Sequence, residues 1–288
     1  MAGTREIRRR IKSIRNTAQI TKAMQMVAAS KMRKAQDAAV HLRPFIRLMY
    51  RIQRRAVTRV VDFKHPLQEV RAVRKRLVIL VASDKGLCGA LNSNLFRLAG
   101  RYDPHSTVFI SAGRKAAQFV ARTRRQLVAD FPYGDTPRFA EARAIASMAR
   151  DLFLKGEVDE VILVASRFIN TLTQQAVAIE YLPIGEIKGL KMPESESEEQ
   201  LAADPTEFTF EPRAEDILNY LIGHYLNALV YALLLNAKAS EQSARMVSMK
   251  SATDNANSMI KDLTLAYNKL RQGAITQELL EIAGGQSN

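Results

Sequence analysis

The stretch IRRRIKSIRNTAQITKAMQMVAASKMRKAQ, residues 7–36, places apolar side chains at alternating spacings of four and three residues. The spacing continues to Val60, and thirteen of its sixteen positions are apolar. The exceptions are Thr21, Gln25 and Gln53. A strict repeat of this kind indicates a coiled-coil seam, because the apolar stripe of a helix on a globule drifts toward a period of 3.6. Residues 1–60 are therefore predicted to form one coiled-coil helix, which Pro44 should kink or strain locally.

A second seam with the same spacing starts at Leu218. Fifteen of its eighteen positions are apolar, and the polar ones are Gln242, Thr253 and Gln277. No proline follows Pro212, so a helix is predicted over 213–285, ending near its two terminal glycines. Because both segments carry one apolar stripe and flank the same central region, we expect them to wrap each other as a long antiparallel two-helix coiled coil.

The central region, residues 76–183, follows a different pattern. Runs rich in β-branched residues at 76–83, 106–112 and 158–166 are separated by segments of helical periodicity. This alternation predicts a Rossmann-like α/β domain with a mainly parallel sheet of about three to five strands. The run at 173–183 could add a strand.

Dimensions predict how these parts are arranged. At about 1.5 Å per residue, the two terminal helices would be on the order of 80 and 100 Å long. The α/β domain should be only about 35 Å across, so the helices are expected to extend from it as a rod. Residues 61–75 are predicted to connect the first helix to this domain. The acidic, proline-rich segment 184–212 is predicted to connect the domain to the second helix.

Charge is concentrated in the first helix. The chain has a net charge of +14, and residues 1–60 hold 16 lysines and arginines against 2 acidic residues. The remaining residues carry 27 charges of each sign. This one-sided charge favours an acidic partner. A membrane span is not expected, because the richest apolar run, NALVYALLLNA at 227–237, is about half of the roughly 18 residues that a span needs.

Chemistry of a catalytic or cofactor-binding kind is not predicted. The loop SDKGLCGALNSN, residues 83–94, follows the first strand, but it lacks both the G-x-G-x-x-G and the G-K-[ST] pattern of phosphate-binding loops. It is interpreted as a turn in which Asn92 or Ser93 caps the next helix and Cys88, the single cysteine, packs as a small apolar residue. The four histidines are scattered without metal-ligand spacing, so no metal site is expected.

Long stretches at both ends and the central loop resemble the gamma subunit of the rotary F-type ATP synthase. The stretches that carry the resemblance are REIRRRIKSIRNTAQITKAMQMVAASKMRKAQ, SDKGLCGALNSNLF, RFINT and SEQSARMVSMKSATDNANSMIKDLTLAYNKLRQGAITQELLEIAGG. The resemblance implies a non-catalytic rotor shaft that stands inside a hexamer of alpha and beta subunits. It also implies an α/β domain that sits with the epsilon subunit on the membrane c-ring, at the cytoplasmic face of a bacterial cell membrane. A single cysteine and no obvious insertion argue against the thiol-regulated photosynthetic members.

The resemblance also implies partner-binding residues. Residues expected to meet the lever segments of the beta subunits are Lys22, Met24, Met26, Lys31 and Arg33. Residues expected to make polar contacts with the hexamer are Arg245, Arg271, Gln272, Thr276 and Glu278. The C-terminal tip expected in an apolar bearing contains Leu279, Leu280 and Ile282. A looser match to the c-ring contact is given by Phe208, Phe210 and Glu211.

Two other classes of protein remain as alternatives. A nucleic-acid-binding protein would use the basic first helix, although readers of this kind typically lack an apolar seam among the cations. A nucleotide-dependent enzyme would use the α/β domain, although its loop lacks the required glycines.

Overall fold

Two long helices, α1 (Ala2–Val57) and α5 (Ala214–Gly285), dominate the chain. The structure is a computed structural model, and it describes residues 2–57, 65–184 and 213–285. The chain divides into two units: Met1–Ala29 with Arg245–Asn288, here called the helix-pair unit, and Ser30–Ala244, here called the sheet unit. The helix assignment of α1 continues through Pro44. Both predicted long helices are therefore confirmed.

A five-stranded sheet forms the centre of the sheet unit. The strands are β1 (Arg76–Val81), β2 (Thr107–Ala112), β3 (Gln126–Phe131), β4 (Glu160–Phe168) and β5 (Gln174–Leu182). Their spatial order is β3-β2-β1-β4-β5, and all neighbouring pairs are parallel except β4 and β5. The predicted mainly parallel sheet is confirmed, with the run at 173–183 supplying the antiparallel edge strand.

β3 is the strand that the sequence pattern missed. It lies at the edge of the sheet, and its residues QLVADF are exposed or only partly buried. An edge strand that is not buried on both faces does not need a long run of β-branched residues. Its sequence therefore gives only a weak signal.

Shorter helices cover both faces of the sheet. They are α2 (Leu91–Ala99), α3 (Arg114–Arg122) and α4 (Phe139–Leu154), and a 3₁₀ helix spans Pro66–Gln68. Side chains of β1 alternate between two apolar clusters: Val78 and Leu80 pack with α2 and α3, whereas Leu77 and Ile79 pack with α4 and α5. Because β1 is buried on both faces after Arg76, its residues 77–81 are consecutive apolar residues.

α5 is apolar around most of its circumference where it packs in the sheet unit. Its residues from Ile222 to Ala237 contribute nine buried side chains to the cluster on the α4 face of the sheet. By length and composition alone, α5 contains a stretch apolar enough to cross a membrane, although its longest apolar run did not predict a membrane span. More than half of that stretch is buried within the protein, as is typical of a core helix.

The loop between β1 and α2 is a braced turn. The side chain of Asn92 donates to Ser83 Oγ at 2.7 Å and to Cys88 Sγ at 3.4 Å, and the backbone N–H of Ser83 donates back to Asn92 Oδ1 at 3.3 Å. Cys88 is buried, which confirms the prediction that it packs as an apolar residue. The expected side-chain cap is wrong: α2 begins after Ala90 without a side-chain cap, because Asn92 is used to close the loop.

Candidate functional site

The helix-pair unit consists of the first part of α1 and the second part of α5 packed against each other. Thr21 Oγ1 lies 2.7 Å from Thr253 Oγ1, and the Arg8 guanidinium donates to the Tyr267 hydroxyl at 2.5 Å. Arg8 precedes Thr21 in α1, whereas its partner Tyr267 follows Thr253 in α5. The two helices therefore run antiparallel. The predicted antiparallel coiled coil is thus confirmed within this unit.

Among the described residues of the helix-pair unit, the side chains that become buried stand at predicted seam positions, apart from Arg245. On α1 these include Ala18, Thr21 and Ala28; on α5 they include Met249, Thr253 and Ala256. Thr21 and Thr253 break the apolar pattern in the sequence, and the structure pairs them with each other. The Thr253 hydroxyl also donates to the Met249 carbonyl at 2.9 Å, so it can accept the hydroxyl hydrogen of Thr21 and leave neither group unsatisfied.

Large apolar side chains are exposed outside the seam of the helix-pair unit. They are Ile20, Met26, Val27, Met259, Leu265, Ile275, Leu279 and Leu280. Exposed apolar surface on this scale is typical of a protein-protein interface. Most of these residues were not singled out from the sequence, although their signal is simple: they are apolar residues of the two predicted helices that fall outside the 4-3 seam.

The surface charge of the helix-pair unit differs between its two helices. Between Arg5 and Lys22, α1 exposes seven cations, whereas Glu6 is its single acid. The part of α5 from Arg245 to Gly285 is nearly balanced, with five cations and four acids. The Arg10–Glu6 pair at 2.7 Å is exposed, and pairs of this kind contribute little to stability. The cationic side is therefore available to an acidic partner.

The residues of α1 expected at the beta-subunit levers divide between the two units. Lys22 and Met26 are exposed and Met24 is half-buried in the helix-pair unit. Lys31 and Arg33 belong to the sheet unit, where Arg33 is exposed. Lys31 Nζ lies 2.6 Å from Asp135 Oδ2, so its charge is engaged within the chain.

Most of the predicted contact residues of α5 are exposed. They are Arg271, Gln272, Thr276, Leu279 and Leu280. Arg245 is buried in the chain, unlike the others. Glu278 and Ile282 lie within the span of α5. The weaker candidates Phe208, Phe210 and Glu211 lie outside the described residues.

Metal-binding geometry is not found in the described ranges 2–57, 65–184 and 213–285. They contain no group of three or more histidine, cysteine, aspartate or glutamate side chains that could hold a metal ion. What the described surface offers instead is a long helix pair with exposed apolar side chains and a cationic side, an arrangement suited to protein partners.

Comparison with known proteins identifies the group to which this architecture belongs. The family model described as ATP synthase matches residues 3–288. The ATP synthase gamma chain of Opitutus terrae is 46% identical over 99% of this chain and 98% of its own length, and that of Methylacidiphilum infernorum is 43% identical over 99% of both.

A chain from the central stalk and c-ring of Tetrahymena thermophila mitochondrial ATP synthase matches with a TM-score of 0.57 at 27% identity, covering 81% of this chain and 99% of that one. A chain from the Euglena gracilis mitochondrial ATP synthase rotor shares the fold, with a TM-score of 0.63 at 17% identity over 95% of this chain and 99% of that one. With its full-length matches, its antiparallel helix pair and its mainly parallel sheet, the chain belongs to the ATP synthase gamma chain family.

Proposed function

We propose that the helix pair is the shaft of an F-type ATP synthase and that it couples ion flow through the membrane c-ring to conformational changes in the catalytic beta subunits. As a gamma chain, the protein is part of the central rotor of the ATP synthase. Its partners are the alpha and beta subunits of the hexamer, the epsilon subunit and the c-ring. The observation that carries the proposal is the antiparallel helix pair with apolar side chains exposed outside its seam.

The composition of the surface suits rotation. Apolar contacts are non-directional, so a shaft with exposed leucine, isoleucine and methionine side chains can turn within an apolar sleeve without breaking a fixed set of hydrogen bonds. Leu279 and Leu280, both exposed near the end of α5, are proposed to form the part that turns in such a bearing.

The difference in charge between the two helices supplies the asymmetry that a rotor needs. α1 carries most of the excess positive charge, and α5 is nearly neutral in this unit. On rotation, each beta subunit therefore meets the cationic side once per turn. We propose that Lys22, Met24 and Met26 then contact its acidic lever segment, and that Arg33 contributes a further cation. Because the surface of the shaft interacts differently with a beta subunit at each orientation, rotation favours a change of conformation in each beta subunit in turn.

Further polar contacts with the hexamer are proposed for α5. Arg271, Gln272 and Thr276 lie within two helical turns of each other and are exposed. The Thr276 hydroxyl donates to the Gln272 carbonyl at 2.9 Å, which leaves its oxygen free to accept from a partner. A few such bonds suit the pauses between steps, because they can form and break without unfolding the shaft.

The protein itself is proposed to be non-catalytic, with nucleotide chemistry on the partner subunits. It belongs to a membrane-associated complex, and we propose that it is held peripherally at the cytoplasmic face of a bacterial membrane through the c-ring and the epsilon subunit.

The test is assembly. The chain is co-expressed with the alpha and beta subunits of the Opitutus terrae enzyme, whose gamma chain is 46% identical. The expected product is a stable complex with ATPase activity, and the Opitutus gamma chain is the positive control. The proposal is contradicted if the positive control assembles while the chain, folded and soluble, yields no active complex.

A further inference from the structure

A lysine of α5 is buried at one edge of the sheet. Lys238 is 1% exposed, and its Nζ lies 3.0 Å from Glu241 Oε2, 3.8 Å from Asp135 Oδ1 and 4.0 Å from Asp84 Oδ2. The same ammonium group lies 4.9 Å from the centre of the Tyr133 ring. Three carboxylates and an aromatic ring from three separate segments of the chain therefore surround one buried cation.

Asp135 also contacts the other long helix. While its Oδ1 faces Lys238 of α5, its Oδ2 accepts from Lys31 of α1 at 2.6 Å. A single carboxylate in the loop between β3 and α4 thus meets both long helices. The Lys31 hydrogen bond, and to a smaller extent the charge of Lys238, hold the pKa of Asp135 below its usual value, so the carboxylate is charged at neutral pH.

These groups gather at the carboxyl ends of the parallel strands. Asp84 follows β1 and Asp135 follows β3, and β1 lies between β2 and β4, where the chain order of the strands reverses direction. In open α/β sheets this crevice is the usual place of a ligand. Lys238 lies at the same carboxyl edge of the sheet, beside the loops that follow β1 and β3.

The loops that carry the carboxylates are held in place. The backbone N–H of Arg114, at the start of α3, donates to Asp84 Oδ1 at 3.1 Å. The hydroxyl of the buried Tyr133 donates to the Ala82 carbonyl at 3.0 Å. Because both loops are fixed to the sheet, a force on Lys238 is passed to the sheet and not absorbed by a moving loop.

Charged and apolar contacts resist sliding differently. α5 also packs on the sheet through apolar residues such as Leu226 and Leu234, but apolar burial depends mainly on area and little on direction. Glu241 lies on the same helix and moves with Lys238, so the charged contacts that resist sliding are those with Asp135 at 3.8 Å and Asp84 at 4.0 Å. These two contacts depend on where α5 stands against the sheet, which gives them a directional character that the apolar contacts lack.

We propose that Lys238, Asp135 and Lys31 form a clamp that transmits torque between the α/β domain and both long helices. This inference rests on the proposed rotor function. The three residues are positioning residues: they hold the helices against the sheet while the catalytic sites lie on other subunits. The ion pairs are expected to matter most under load, when the driven and the resisting ends of the rotor pull in opposite directions.

The test compares ATP hydrolysis in the absence of a proton gradient with proton pumping against a gradient, both in the complete enzyme. Complexes that contain Lys238→Met or Asp135→Asn are reconstituted in vesicles, and ATP hydrolysis is measured without a gradient beside the proton gradient reached during hydrolysis. We expect hydrolysis within about twofold of the parent, while the gradient at equal hydrolysis falls about threefold, because an ion pair with a partly exposed carboxylate is lost. The conservative variants Lys238→Arg and Asp135→Glu should restore most of the gradient. Lys155→Met, which removes an exposed lysine at the end of α4, is the matched control and should change neither readout.

The outcomes separate the clamp from the rotor function. A parent chain that neither assembles nor pumps contradicts the rotor function itself. A pumping parent whose Lys238→Met and Asp135→Asn variants reach the same gradient contradicts the clamp alone. A purely structural role would lower hydrolysis and the gradient in parallel, which also contradicts the clamp. If Lys238→Met prevents assembly, Asp135→Asn decides, because the exposed side chain of Asp135 tolerates replacement by an isosteric amide.

Discussion

α5 behaves differently in the two units to which it contributes. In the sheet unit, nearly every residue from Tyr225 to Ser243 is buried, including Lys238 and Glu241. In the helix-pair unit, burial from Lys250 onward is confined to the seam, and apolar side chains such as Leu265 are exposed. The first region is covered by its own chain, whereas the second has apolar surface for other subunits to cover. The same helix thus provides a core and an interface.

The largest expected effect is a loss of stability in the sheet unit. Leu234→Ala removes a fully buried side chain from the cluster between α5 and the sheet, and should lower the free energy of unfolding by about 2–5 kcal/mol. Leu265→Ala, at a leucine that is 70% exposed, should change it by no more than about 0.5 kcal/mol. Denaturant unfolding of the full chain measures both. Equal losses would contradict the contrast between the two regions of α5.

Replacement of the exposed leucines near the end of α5 should have little effect on stability but a large effect on binding to the partner subunits. Leu279→Asp with Leu280→Asp leaves the stability of the isolated chain nearly unchanged, because both side chains are exposed. It should weaken binding to the alpha/beta hexamer by about tenfold or more, since charges would enter an apolar bearing. Binding of the labelled chain to hexamer measures this, with Leu265→Ala as a milder comparison. Unchanged affinity would show that these leucines do not enter the bearing.

Met24→Lys tests the half-buried methionine on the cationic side of the shaft. It adds a charge beside Lys22 where acidic levers of the beta subunits are proposed to pass, so that side should bind too tightly at one orientation. ATP-driven proton pumping per ATP hydrolysed should fall more than the yield of assembled complex does. Met24→Leu, which keeps an apolar side chain, is the control. A pumping ratio equal to that of the control would refute this role for Met24.

The smallest effect is expected at the polar pair in the seam. Thr253→Val removes the partner of Thr21, which retains the Ala18 carbonyl as an acceptor at 3.1 Å, so the loss should be about 1 kcal/mol. The double replacement of Thr21 and Thr253 by valine should be nearly neutral, because it removes both polar groups from the seam. Thermal unfolding of the singles and the double completes the cycle. A double variant as unstable as the sum of the singles would contradict the pairing.

The sequence predicted the long helices and most strands because each has a strong periodic signal. The 4-3 seam identifies Thr21 and Thr253 as breaks in the pattern, and each of three buried strands contains a run of consecutive apolar residues. β3 escaped prediction because an edge strand has little buried surface. The loop at 83–94 was correctly interpreted as a turn, but Asn92 was assigned to a helix cap because its bond to Ser83 depends on a tertiary fold.

The Lys238 cluster shows what periodicity cannot reveal. Lys238 stands beside the seam position Ala239, and no local pattern in the sequence marks it as buried. Its partners Asp84 and Asp135 come from loops more than a hundred residues away in the chain. Lys31, which the resemblance places at a partner subunit, is also paired with Asp135 in the structure. Only the topology of the sheet brings these charges together.

The central claim is that this chain turns while the hexamer stays fixed. The direct measurement uses a Lys155→Cys, Cys88→Ala chain, in which the engineered exposed thiol carries a probe and the buried native one is removed. The alpha/beta hexamer is immobilised and ATP is added. The probe should rotate in one direction and stop when ATP is withdrawn. A complex that hydrolyses ATP at its normal rate while the probe stays still would show that the chain does not rotate within the hexamer.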